Sequence, residues 1–181
     1  MRRTASQMVR AGVCGLVMAA VLSYGAAICA TAAAAERPQH AIPTSEKRTT
    51  VLFMCPHGAA KSVLASAYFQ RLAKERGLKV RVETAGIEPQ DAVSPAVANH
   101  LRENGYTLPI AKPRAATRDD VEAADVVISM GCDLTGLPVA PEKLQKWDDV
   151  PAPSENFRAA DEAIRSRVIV LVEELLNRQR K

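Results

Sequence analysis

One stretch constrains the fold more than any other. Thr49-Thr50-Val51-Leu52-Phe53-Met54 is an apolar run of strand formers, and Cys55-Pro56-His57-Gly58-Ala59-Ala60 breaks it. After Lys61-Ser62 come Leu64, Ala67, Tyr68, Arg71 and Leu72 at helical spacing, with Gly77 as a stop. Such a run reads as a buried strand, and a strand that turns tightly into a helix is the start of a βα unit. Main-chain N–H groups of a loop like this converge on one spot, and the helix N-terminus adds positive potential. A cysteine at the loop entrance lies in the same field, which favours the nucleophilic thiolate. The segment is therefore expected to bind a tetrahedral oxyanion and attack it through Cys55. The amides of His57, Gly58, Ala59 and Ala60 would surround the anion, Lys61 would supply charge and Ser62 would hydrogen-bond the sulfur. Walker A chemistry is excluded, because Cys55 and Ala60 stand where that loop needs glycines.

The rest of the chain repeats the alternation. Lys79–Thr84 alternates as a second strand closed by Ala85-Gly86. Ser94-Pro95 opens a helix, with Ser as cap, that ends at Gly105. Thr117-Arg118-Asp119-Asp120 starts a short acidic-capped helix, and Asp125–Met130 forms a third strand. A weaker fourth strand is expected near Leu144–Trp147. A last helix runs from Ser154 to about Arg178 on an apolar face of Ala160, Ile164, Val168, Leu171, Val172, Leu175 and Leu176. Strands alternating with helices imply an α/β fold, a small four-stranded parallel sheet flanked by helices. Ligands of such folds sit at the carboxyl ends of strands, where Cys55 falls.

Charge has to be read by region. The formal net charge is +4, and Arg2, Arg3 and Arg10 contribute three of those units. They precede an uncharged stretch, 11–35, that ends in small residues, the layout of a secretory signal peptide. Cleavage near Ala34 or Ala35 would leave a nearly neutral protein, so the basic pI makes no case for nucleic-acid binding. The expected organisation is a signal peptide over 1–35, a polar leader with Pro38 and Pro43 over 36–48, and one domain over 49–181. This implies a periplasmic or secreted protein with no stable membrane association. An uncleaved anchor over residues 11–35 is the alternative. The four cysteines form neither a disulfide framework nor zinc-ligand spacing, and His40, His57 and His100 are scattered, so no metal site is expected. Trp147 is expected to pack against the sheet edge. His40 and His100 are read as surface residues, and Arg165, Arg167, Arg178, Arg180 and Lys181 as the polar face and end of the last helix.

These features together resemble the low-molecular-weight protein tyrosine phosphatase superfamily, which includes thioredoxin- and mycothiol-linked arsenate reductases. Val51-Leu52-Phe53-Met54-Cys55, Lys61-Ser62, Thr84-Ala85-Gly86, Lys112-Pro113 and Ser129-Met130-Gly131-Cys132 carry the likeness, which covers nearly all of the chain from Val51 onward. The resemblance implies a Cys-x5-Arg-Ser loop that holds phosphate or arsenate, with Cys55 as nucleophile and Ser62 as the hydroxyl. A late-loop aspartate would protonate the leaving group; Asp149 is the candidate and Asp148 the reserve. No metal or organic cofactor is implied. The implied partners are a phosphate or arsenate oxyanion and a phosphorylated substrate.

The departures from the pattern are specific. Lys61 replaces the family arginine, exchanging a planar fork for a mobile point charge. Gly58 stands where phosphatases place a bracing asparagine, and Val150 separates Asp149 from Pro151. Ala152 stands where an aromatic helps hold a phenyl ring. Cys132 matches the second thiol of the thioredoxin-linked reductases, but no third cysteine follows, and Val139 stands in that neighbourhood. The family geometry also implies that oxidation could join Cys55 to Cys132. The reading is a cysteine-dependent phosphate-monoester hydrolase acting outside the cytoplasm. The alternatives are an arsenate reductase using Cys55 with Cys132, and an oxyanion-binding protein impaired by Lys61.

Overall fold

The computed structural model describes residues 48–180. In chain order the elements are β1 (Thr49–Cys55), α1 (Lys61–Glu75), β2 (Val80–Gly86), α2 (Pro95–Glu103), α3 (Arg118–Ala123), β3 (Val126–Ser129), β4 (Leu144–Lys146) and α4 (Pro153–Gln179). The strands form one sheet in the order β2-β1-β3-β4, and every pair is parallel. This is the expected fold class. The proposed signal peptide, its anchor alternative and the leader up to Lys47 lie outside the described residues, as does Lys181. No helix among the described residues is long and apolar enough to cross a membrane.

β1 is unbroken in its hydrophobicity because it is covered on both faces. Val51, Phe53 and Cys55 enter the larger core with residues of α1, α2 and α4. Leu52 and Met54 point the other way, against Val121, Ala124 and Val127. Phe53 anchors the larger core, its ring 5.4 Å from Phe69 and 6.1 Å from Trp147. Trp147 is buried just beyond edge strand β4, in the place expected for it, and its N–H donates to the Ser129 carbonyl at 2.7 Å.

Several boundaries differ from expectation for local reasons. β2 runs through Gly86, because that glycine pairs with Cys55 and bridges to Ala115. Ser94 precedes α2 as expected, but its side chain makes no cap; its N–H donates to the Ala59 carbonyl at 3.0 Å. Thr117 and Asp120 cap α3 reciprocally. Asn156 leaves helical geometry within α4 and accepts from the Ala159 N–H at 3.0 Å, so it caps the long regular part of that helix.

His100 is not the surface residue expected. Its Nε2 lies 3.0 Å from the Tyr68 hydroxyl and 3.3 Å from Asp161, and its ring packs against Phe157. Arg165, read as a polar-face residue, completes this cluster with hydrogen bonds to Asp161, Tyr68 and Tyr106. Burial, and then the hydrogen bond to Asp161, push the Tyr68 phenol above the ordinary tyrosine range.

Candidate active site

The loop between β1 and α1 has its carbonyls turned outward. Pro56 O accepts from Glu88 N at 2.9 Å, His57 O from Gln90 N at 3.1 Å and Ala59 O from Ser94 N at 3.0 Å. In a planar trans peptide the N–H is opposed to the C=O. The amides of His57 and Ala60 therefore face away from the 88–94 segment. Ala60 gives α1 no side-chain cap, so the first-turn amides of the helix are open to a ligand as well. Gly58 departs from its expected role: its N–H donates to the Cys55 carbonyl at 3.3 Å and closes the turn instead of facing an anion. The His57 ring sits on the rim with Nδ1 3.2 Å from the Glu88 carbonyl.

Two glycines make this packing possible. Gly58 has φ +61, and a Cβ there would meet Gly86 N at 2.9 Å. A Cβ on Gly86 would meet Gly58 N at 2.4 Å. The loop thus rests directly on the end of β2, and a side chain at either position would force the backbones apart. At its entrance the Cys55 sulfur is buried and 3.2 Å from Ser62 Oγ, which is fully buried. That contact is the one expected between nucleophile and hydroxyl.

The 147–152 segment approaches the same mouth and, beyond the Trp147 bond to Ser129, is tied down at residues 148, 149 and 150. Asp148 Oδ1 accepts from the Gly131 N–H at 2.8 Å. Asp149 pairs with Arg167 on α4, and its carboxylate is 74% exposed. The Val150 carbonyl accepts from Lys61 Nζ at 3.2 Å. Asp149, the candidate acid, is therefore turned to α4, and the hydrogen bond from Arg167 holds its carboxyl below the usual carboxylate range. Asp148, the reserve, is the carboxylate at the Gly131-Cys132 turn. Lys61 reaches the same turn, since a Cβ on Gly131 would lie 3.5 Å from Nζ. Its ammonium spans the two loops rather than pointing only at the anion position.

Cys132 is half-buried, packed at the edge of the smaller core, and its N–H donates to Ser129 Oγ at 3.4 Å. Its strand lies beside β1, with Met54 paired to Ser129. Burial pushes the Cys132 thiol above the ordinary thiol range; Ser129 opposes this, Cys55 adds to it and Lys61 opposes it. Both cysteines are free thiols. No group of three or more His, Cys, Asp or Glu among the described residues could hold a metal ion. The turn expected at Met130-Gly131-Cys132 is present, with Gly131 at φ 81. Sequence reasoning missed the Val150 carbonyl as partner of Lys61 and Arg167 as partner of Asp149, which are long-range contacts with no local pattern.

A buried thiol under open helix-terminal amides, on the central strand of a four-stranded parallel sheet, defines a cysteine-based oxyanion enzyme. Over residues 50–180 the chain matches the family model of low molecular weight phosphotyrosine protein phosphatase, and it belongs to that family. A Halobacterium salinarum protein assigned by name to the arsenate reductases is 29% identical over 136 residues, 72% of this chain and 96% of that one. The thioredoxin-dependent arsenate reductase of Corynebacterium glutamicum superposes with a TM-score of 0.64 at 31% identity, covering 73% of this chain and 64% of the other. The protein-arginine-phosphatase of Bacillus subtilis is 30% identical over 83 residues, 44% of this chain and 54% of that protein. Members of the family are phosphatases or arsenate reductases, and they act on phosphate or arsenate oxyanions and on phosphoproteins.

Proposed function

We propose that this protein is an arsenate reductase whose two thiols are Cys55 and Cys132. The carrying observation is that Cys55 ends β1 and Cys132 follows its paired strand β3 by three residues, at a mouth that holds no Phe, Tyr or Trp side chain among the described residues. Phe53, Phe69 and Trp147 are buried, Phe157 packs on His100, and Tyr68 and Tyr106 stack on each other beside Arg165. A phenyl ring would find no partner there, whereas a bare tetrahedral oxyanion needs none. The Cys55 thiolate attacks arsenic and forms an S–As bond, and the departing oxygen leaves as water. The Cys132 thiolate then attacks the Cys55 sulfur. The S–As electron pair passes to arsenic, arsenite leaves, and a Cys55–Cys132 disulfide remains. Two equivalents of an external small thiol restore both sulfurs. Main-chain amides of the 57–62 loop and the Lys61 ammonium stabilise the negative charge throughout.

Phosphate-monoester hydrolysis is the second reading, favoured by the Asp148 carboxylate at the same mouth. We also propose that residues 1–35 direct export and 36–48 form a leader. Outside the cytoplasm hydrolysis needs only water, whereas repeated reduction needs a supplied thiol. One set of assays separates the readings: arsenite formation with excess dithiothreitol, and p-nitrophenyl phosphate hydrolysis. Cys55→Ser should abolish both. Cys132→Ser should abolish arsenite formation and spare hydrolysis. Arsenite formation unaffected by Cys132→Ser would remove the two-thiol mechanism. Phosphate that slows alkylation of Cys55, with neither product formed, would indicate an oxyanion binder without turnover.

A further inference from the structure

We propose that Lys61 is a positioning residue that ties order in the 147–152 segment to occupancy of the oxyanion site. The inference rests on the oxyanion reading above and concerns what the lysine does there in place of a fork. Of the three ties on residues 148–150, those of Asp148 to Gly131 and Asp149 to Arg167 involve no group of the 56–62 loop. The third does, since Lys61 is the first residue of α1 and donates to the Val150 carbonyl at 3.2 Å. An ammonium has three N–H donors directed apart, so one can stay on Val150 while the others meet an anion over the loop. Gly131 keeps the path open, because a side chain there would begin 3.5 Å from Nζ. The Val150 side chain is buried at 2% exposure, and its N–H donates to the Trp147 carbonyl at 3.2 Å. An anion that fixes the ammonium therefore fixes Val150, and through the turn the region around Trp147.

Trp147 is the one tryptophan of the sequence, so its emission reports on this segment. Amide hydrogen exchange at Val150 and Trp147 fluorescence are followed in wild type and Lys61→Met, with and without inorganic phosphate. Mass mapping of iodoacetamide-modified Cys55 shows independently whether phosphate occupies the loop. In wild type, phosphate should slow Val150 exchange about tenfold, the worth of one hydrogen bond from a charged donor, and shift Trp147 emission. Without phosphate, Val150 exchange in Lys61→Met should be about tenfold faster than in wild type, with exchange at Val127 and Ile164 in the core unchanged. Phosphate that shields Cys55 while leaving Val150 and Trp147 untouched would overturn the coupling and leave the oxyanion site standing. Equal ligand-free exchange at Val150 in the two proteins would also overturn it. Failure of phosphate to shield Cys55 would instead reject the oxyanion reading on which the coupling rests.

Discussion

Ser62 Oγ, 3.2 Å from the Cys55 sulfur and with no exposure to solvent, is placed to donate to a thiolate and to stabilise it again when it leaves. A hydrogen bond to a charged group contributes about 1.5–3 kcal/mol. Ser62→Ala should therefore lower turnover about tenfold to a hundredfold while Cys55 remains the site of attack, checked by steady-state kinetics and peptide mapping of the alkylated cysteine. The second thiol makes a prediction in pH. Burial raises the Cys132 thiol above its ordinary value, so its reactive form grows as pH rises through and beyond the usual thiol range. Where attack by Cys132 limits turnover, arsenite formation should climb about tenfold per pH unit between pH 7 and 9, because the thiolate fraction does. A flat profile measured under saturating arsenate would remove Cys132 from the rate-limiting step. The two thiols were legible from sequence because Cys55 and Cys132 each stand at the end of a strand, beside a glycine-containing turn. The outward hydrogen bonds of the loop carbonyls were not, since their donors lie in the distant 88–94 segment.

The element that most changes the chemical reading is the 147–152 segment. Its two adjacent carboxylates are indistinguishable in sequence, yet α4 takes one and the Gly131 turn takes the other. Asp149 pairs with Arg167, which ties it to the helix. Asp148 sits at the Gly131 turn that Lys61 reaches, with its second oxygen outside the bond to the Gly131 N–H. Loss of a general acid costs about a hundredfold to ten-thousandfold. Asp148→Asn keeps an oxygen for the Gly131 N–H but cannot supply a proton, so p-nitrophenyl phosphate hydrolysis should fall at least about a hundredfold. Asp149→Asn should leave it within about twofold. The reverse ranking, in proteins with matched thermal stability, would return the acid's role to Asp149. Sequence spacing could locate this loop but not apportion its carboxylates, because the deciding partner, Arg167, lies on α4 and carries no motif of its own. The β1–loop–α1 unit, by contrast, needed only local patterns.

At the scale of the whole molecule, the parallel sheet and its order follow from a chain in which each strand returns through a helix or long crossover. The parallel sheet was readable from the alternation of strands and helices; its order was not. The polar cluster joining α1, α2 and α4 was not, because Tyr68, His100, Asp161 and Arg165 each look like ordinary helix-surface residues until the helices pack. The cluster, together with the Arg114–Asp120 pair, sets how stability should vary with pH. Hydrogen bonding from Arg114 holds the Asp120 carboxyl below its ordinary value. Its contribution is therefore present above the unfolded carboxylate pKa, near about 4, and is lost as pH falls through the lower folded value. Tyr68 runs the other way. Its phenol is raised, so its contribution is complete below the unfolded tyrosine pKa, near about 10, and declines as pH climbs beyond it. Melting temperature should accordingly show a plateau bounded by an acid limb and an alkaline limb. Arg114→Met should flatten the acid limb and leave the alkaline one, and Tyr68→Phe should do the opposite. Thermal melts from pH 3 to 11 check both, and a Tyr68→Phe protein that loses stability above pH 10 as steeply as wild type would show that the cluster does not control the alkaline limb.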